Sequence, residues 1–219
     1  MYKKYTTFIF DLDGTLLDTL CDLHASVNAA LTAYNLPCRS VDEVRSFVGN
    51  GIAKLMQRAI GREDYPRFEE VLQAFKEHYA VHCKDKTKPY EGIMALLKSL
   101  CAAGVKIAVV SNKADFAVKL LAEEYFGALL PIAVGENEAG GVRKKPAPDS
   151  LFAVMDMLGV KKEEVVYVGD SEVDIQTAQN AAVDCISVTW GFKDKEFLLK
   201  NGAKILVDAP KELLKYCNL

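Results

Sequence analysis

The stretch Phe8-Ile9-Phe10-Asp11-Leu12-Asp13-Gly14-Thr15 decides the fold class of this chain. Its apolar run reads as a buried strand that stops at two carboxylates set two positions apart. The C-terminal ends of parallel strands open on a solvent-facing crevice, and two carboxylates there repel each other unless a cation, usually a metal, neutralises them. A site built in that way points to phosphate chemistry.

Outward from this stretch, strand signals recur at Val105 to Val110, Leu129 to Val134, Val165 to Val168 and Asp184 to Val188. Helical periodicity separates them: Ile93, Leu96, Leu97 and Leu100 fall on one face ahead of Gly104, and Ala114 to Glu124, Ser150 to Leu158 and Val173 to Ala181 behave alike. This alternation predicts an α/β fold with a doubly wound parallel sheet.

Roughly ninety residues lie between the first strand and the second, far more than a crossover needs. Leu20 to Ala33, Val41 to Phe47, Ile52 to Ile60 and Phe68 to Val81 read as amphipathic helices punctuated by Pro37, Gly49-Asn50-Gly51, Gly61 and Pro66. The expectation is a small helical domain, residues 17–86, inserted into a core made of 1–16 and 87–219. Its hinges fall near Leu16-Leu17-Asp18 and Lys84 to Pro89.

A chain of 219 residues, 50% of them hydrophobic, buries a full core. Its formal net charge of -3 argues against a nucleic-acid binder, while a small anionic substrate remains compatible with a locally positive site. The N-terminus carries no secretory apolar run and no membrane span, so the cytoplasm is the expected compartment, with no membrane partner. The six cysteines show no CxxC pair and read as reduced, mostly buried thiols. Nothing in the sequence decides between monomer and homodimer.

Three more polar clusters stand where strand ends are expected. Ser111-Asn112-Lys113 follows an apolar run, and backbone N–H groups opening the next helix would suit an anion. Lys144-Lys145-Pro146-Ala147-Pro148 presents an ammonium from a loop that its prolines keep out of helix. Gly169-Asp170-Ser171-Glu172-Val173-Asp174 ends another strand with two carboxylates one helical turn apart. Singly, each has a plain reading as a turn, a helix cap or a loop. Four polar clusters at four strand ends, however, converge on one crevice, as separate caps have no reason to do.

In these four motifs the chain resembles the haloacid dehalogenase superfamily of phosphohydrolases along essentially its whole length. The resemblance implies that Asp11 is the nucleophile, forming an aspartyl-phosphate, and that Asp13 is the general acid/base. It further implies Mg²⁺ on the Asp11 and Asp170 carboxylates and the Asp13 backbone carbonyl. Ser111 and the Asn112 backbone would hold phosphoryl oxygens, and Lys145 would screen Asp11 from the anionic substrate. Asp174 is expected to orient Lys145 rather than to touch the metal.

The inserted helices resemble the small cap that selects substrate in one branch of the superfamily, and Arg45-Ser46-Phe47-Val48-Gly49-Asn50-Gly51 is similar to the cap segment of its phosphoglycolate phosphatases. Arg45 with Gly49, Asn50 and Gly51 would then recognise the carboxylate of a small phosphorylated metabolite, 2-phosphoglycolate first; the same glycines would also serve a plain helix–loop–helix corner. A pyrophosphatase, a 5'-nucleotidase or a β-phosphoglucomutase-like sugar-phosphate mutase shares the core motifs. His78 and His82, i and i+4 on one helix, lack a third ligand and read as solvated. The aromatics of Trp190-Gly191-Phe192 read as core packing or site edge, with packing preferred.

Overall fold

A computed structural model describes residues 2–218. Its elements in chain order are β1 (Thr7–Phe10), β2 (Leu17–Asp18), α1 (Leu20–Ala33), α2 (Val41–Phe47), α3 (Ile52–Ile60), α4 (Phe68–His82), β3 (Lys88–Pro89), α5 (Ile93–Ala102), β4 (Lys106–Ala114), α6 (Asp115–Phe126), β5 (Ile132–Glu136), α7 (Asp149–Leu158), β6 (Val165–Gly169), α8 (Glu172–Ala181), β7 (Asp184–Val188), α9 (Lys195–Lys200) and β8 (Leu206–Val207). Six strands form one sheet in the order β5-β4-β1-β6-β7-β8, every pair of them parallel. The doubly wound α/β class expected from the alternation is the one observed.

The strands are buried on both faces, so alternate residues serve two different cores. Phe8 and Phe10 join Val109, Val166 and Val168 and the helix residues Leu97 and Leu121 on one side. Ile9 joins Val110, Tyr167, Leu151 and Val154 on the other. From β1 the chain winds out through β4 and β5, then returns to the opposite flank at β6. The ends of β1, β4 and β6 therefore flank the point where winding reverses, which is where open α/β sheets hold ligands.

Helices α1 to α4 lie between β1 and β4 in sequence and pack on one another through Leu23, Val27, Leu31, Val44, Leu55, Met56, Leu72 and Phe75. A capping box starts α2: Ser40 Oγ accepts from Glu43 N at 3.3 Å and Glu43 Oε2 accepts from Ser40 N at 2.7 Å. The two passages between these helices and the sheet are not free hinge loops. They form β2 and β3, an antiparallel ribbon pairing Leu17 with Pro89 and Asp18 with Lys88. Beside it Asp22, on α1, accepts from the Lys86 and Thr87 backbone N–H groups and from Thr87 Oγ1.

Three local expectations are corrected. The second core strand runs on to Ala114, so Ser111 to Lys113 do not open a helix; α6 begins at Asp115. The cause is a bulge: Val110 pairs with Val134 and Ala114 with Glu136, so Ser111, Asn112 and Lys113 stand opposite Gly135 alone and line the crevice. The third core strand starts at Ile132 rather than Leu129, because Pro131 has no N–H for the ladder and a 3-10 turn occupies Gly127–Leu129. The thiols are free, but only Cys83 and Cys217 are buried, and Cys21, Cys38 and Cys101 are exposed. Among the described residues no helix is long and apolar enough to cross a membrane.

Candidate active site

Asp11 follows β1 directly, and its amide donates to the Val168 carbonyl at 2.8 Å, which continues the pairing with β6 and fixes the carboxylate at the sheet edge. At Gly14 the chain turns with φ +82°, where any Cβ would run into the Asp170 carboxylate. Only glycine fits a turn that is both left-handed and this close to another acid. Asp170 follows β6 directly; its Oδ1 accepts from Thr15 Oγ1 at 3.1 Å and its Oδ2 from the Phe192 amide at 2.7 Å.

Lys145 is the buried cation among these acids. Its Nζ lies 3.0 Å from Asp11 Oδ1, 2.7 Å from Asp174 Oδ1 and 3.0 Å from the Tyr167 hydroxyl. Burial pulls the ammonium down in pKa, but Asp11 and Asp174 outweigh it and hold Lys145 well above the ordinary lysine value. Asp174 is spoken for on its other side as well: Oδ2 accepts from Asp170 N, Ser171 N and Ser171 Oγ. The Asn112 side chain braces the lysine loop, accepting from Lys145 N at 2.8 Å and donating both to Lys145 O and to Gly49 O at 3.0 Å.

The carboxylates are short of positive charge. Burial first, then Asp174 and Asp13, push the Asp11 carboxyl up to about 6 against the pull of Lys145; burial, Asp174 and Asp11 push Asp170 well above the carboxylate range. Asp11 Oδ1 is buried with no aligned hydrogen-bond donor, although Lys145 is within ion-pair reach. One oxygen each of Asp11, Asp170 and Asp174 lies within 4.8 Å of the other two. Hard oxygen donors with an orphaned buried oxygen among them fit a divalent cation. Asp174, saturated by donors, is the poorest ligand of the three.

Above the acids is a cavity of about 40 Å³, walled by Asp11, Asp13, Ser111, Asn112, Lys113, Asp170 and Phe192 below and by Leu23, Val48, Gly49, Gly51 and Ile52 of the helices above. The structure thus brings together Asp11, Asp13, Ser111, Asn112, Asp170, Gly49 and Gly51, with Lys145 and Asp174 behind them. Asn50 is not in the wall. Arg45 is not in the wall either: 44% exposed, it pairs with Asp42 one turn back at 2.9 Å.

Sequence reasoning passed over two lysines. Lys113 Nζ is buried and donates to Asp13 at 2.9 and 3.2 Å and to the Tyr79 hydroxyl at 2.5 Å. Lys193, after β7, lines the cavity and donates to the Ser46 carbonyl at 3.2 Å. A lysine trailing an apolar strand reads as surface charge, so the only signal for Lys113 was its place beside Asn112. Of the neighbouring aromatics, Trp190 donates from Nε1 to the Thr15 carbonyl at 3.0 Å, and both Trp190 and Phe192 pack against the core, Phe192 lining the cavity as well. His78 shares a hydrogen bond with Ser26 Oγ and lies against His82, ring centroids 4.3 Å apart and tilted by 31°, and neither lines the cavity.

A sequence profile described as haloacid dehalogenase-like hydrolase matches residues 8–188. Phosphoglycolate phosphatase 1 of Pseudomonas aeruginosa is 33% identical over 216 residues, 94% of this chain and 77% of that protein. The N-acetylmuramic acid 6-phosphate phosphatase of the same organism is 32% identical over 209 residues, 94% of this chain and 92% of that one. A crystal structure from Lactobacillus delbrueckii subsp. bulgaricus, of a protein whose assignment as a phosphoglycolate phosphatase is itself provisional, superposes with a TM-score of 0.90 at 40% identity, covering 96% of this chain and 97% of that one.

Proposed function

The chain belongs to the haloacid dehalogenase-like hydrolases and is a phosphatase; from that premise we propose that it is a Mg²⁺-dependent phosphomonoesterase acting through an aspartyl-phosphate on a small phosphorylated carboxylic acid, 2-phosphoglycolate foremost. The observation that carries this reading is the Asp11 carboxylate in the cavity wall, its buried Oδ1 held only as an ion pair by the Lys145 ammonium 3.0 Å away. A buried carboxylate at a cavity wall, held by one ammonium, is a nucleophile already stripped of most of its hydration.

Asp11 attacks phosphorus as the ester P–O bond breaks, and Asp13 gives its proton to the departing alkoxide. Water then attacks the acyl phosphate, Asp13 takes the proton back, and orthophosphate leaves with Asp11 restored. Attack of a carboxylate on a phosphate dianion is opposed by like charge, which Lys145 lowers at the nucleophile while Ser111 Oγ–H and the Asn112 amide hold phosphoryl oxygens. Asp11, Asp170 and the Asp13 carbonyl would hold Mg²⁺, which supplies the remaining charge neutralisation. Asp174 fixes Lys145 in place.

Selection falls to the helical insertion, residues 17–86, as a cap on the core. Arg45 is engaged elsewhere, so the substrate carboxylate is left to Lys193 and to the amides at the start of α3 after Gly51. Two Lys193 donors remain beyond the one used on Ser46. A bulkier acid is the second reading, and a second cavity of about 350 Å³ supports it, sharing Gly51, Ile52 and Lys113 with the first and extending between α4 and α6. Phosphate release from 2-phosphoglycolate, N-acetylmuramic acid 6-phosphate, glycerol phosphate, pyrophosphate and a 5'-nucleotide, each with Mg²⁺, separates these readings. Preference for an ester lacking a carboxylate would overturn both.

A further inference from the structure

Lys113 is a buried cation that the reaction outlined above leaves without a task. Its three ammonium hydrogens match three acceptors: both oxygens of Asp13, at 2.9 and 3.2 Å, and the hydroxyl of Tyr79, at 2.5 Å. Asp13 and Lys113 belong to the sheet side of the molecule, at the ends of β1 and β4, whereas Tyr79 is on α4, the last of the inserted helices. Tyr79 is itself 4% exposed, its ring stacked on Phe75 at 5.4 Å and 10°, and the Lys113 ammonium lies 4.6 Å from its centroid. A rigid, packed ring therefore sets where the ammonium sits, and the ammonium grips the carboxylate by both oxygens.

We infer that Tyr79, acting through Lys113, is a positioning residue that aims the Asp13 carboxyl, so that the acid/base is correctly oriented only when α4 is docked on the sheet. This inference rests on the reading of Asp13 as the acid/base. Lysine alone has a flexible four-carbon stem and would let the carboxylate wander. With the phenol removed, one ammonium hydrogen loses its buried acceptor and the grip on Asp13 loosens. The consequence is specific to proton transfer: Asp11 and Lys145 make no contact with this strut.

Tyr79→Phe deletes the hydroxyl and keeps the ring on Phe75, so it tests the strut with the packing preserved. Two esters are compared by kcat/KM, which reports steps up to loss of the leaving group. One is the preferred alkyl phosphate, whose alkoxide needs a proton; the other is p-nitrophenyl phosphate, whose phenolate leaves without one. The expected result is a fall of about tenfold or more for the alkyl ester, carried by kcat rather than KM, with the aryl ester changed by less than about twofold. Lys113→Met should lower the alkyl ester further than Tyr79→Phe does, and Lys113→Arg should recover part of the alkyl activity. Equal losses on both esters, or no loss on either, would overturn the inference. Asp13→Asn is the reference: if it fails to spare the aryl ester, the acid/base reading of Asp13 falls. If it spares that ester and Tyr79→Phe does not, the strut alone falls.

Discussion

Lys145 and Asp174 form a buried ion pair at 2.7 Å, and the far oxygen of the same carboxylate accepts three donors from Asp170 and Ser171. The lysine is thereby pinned from behind while its front faces Asp11. Asp174→Ala takes one of the two carboxylates from the Lys145 ammonium and strands two amides in the interior, and removing one partner of such a pair costs about 3–5 kcal/mol. We expect a loss of that order in urea unfolding, with turnover down by about a hundredfold. Asp174→Asn should retain more stability than Asp174→Ala.

Asp11→Asn keeps the shape of the side chain and removes the nucleophile. Phosphate release should fall by about a thousandfold or more, with the circular dichroism spectrum unchanged. Wild-type-like turnover by this variant would remove Asp11 from the chemistry.

The Asp11 carboxyl, raised from 3.8 to about 6 mainly by burial, makes a pH-dependent demand for a cation. A raised carboxyl stabilises the fold while protonated, at low pH, and that contribution is lost as pH rises through the folded value near 6. Asp170 shifts in the same direction. Metal therefore competes with protons below this value and replaces a lost stabilisation above it. Thermal unfolding with and without Mg²⁺ should show a larger metal-induced rise in Tm at about pH 7.5 than at about pH 5. A shift independent of pH would contradict the role given to Asp11.

Lys193→Met should weaken kcat/KM for 2-phosphoglycolate by about tenfold while leaving glycerol phosphate within about twofold. Arg45→Ala, by contrast, should affect both esters alike and slightly, since this side chain spends its charge on Asp42 at the surface. Steady-state kinetics of the two variants on the two esters checks both statements.

Where a feature is coded locally, the sequence displayed it. Helices α1, α2 and α3 begin and end where periodicity and the breakers Pro37, Gly49 and Gly61 put them, and β1, β6 and β7 are apolar runs closed by Asp11, Gly169-Asp170 and Thr189. Asp11, Asp13, Asp170 and Lys145 were visible as motif members for the same reason. Features decided by a distant partner were not. The bulge at Ser111 to Lys113 depends on which β5 residues lie opposite, and the local sequence by itself looks like the opening of a helix. Arg45 stands four residues from Gly49 in the chain, but the helical turn sets it beside Asp42, with which it pairs instead of lining the cavity. Tyr79 continues the apolar face of α4, four residues after Phe75, and nothing in that face tells a hydroxyl with an ammonium beneath it from ordinary core.

The β2–β3 ribbon brings the chain's departure from the sheet and its return side by side, Asp18 opposite Lys88. Antiparallel neighbours of this kind can be bridged by a tight turn. To the sheet, the intervening seventy or so residues are thus equivalent to one very long hairpin loop, and loop length costs little, about 0.6 kcal/mol per doubling. The catalytic half can exchange its lid for a larger, smaller or differently charged one without moving a single strand. Such a joint separates the evolution of what is cleaved from the evolution of how.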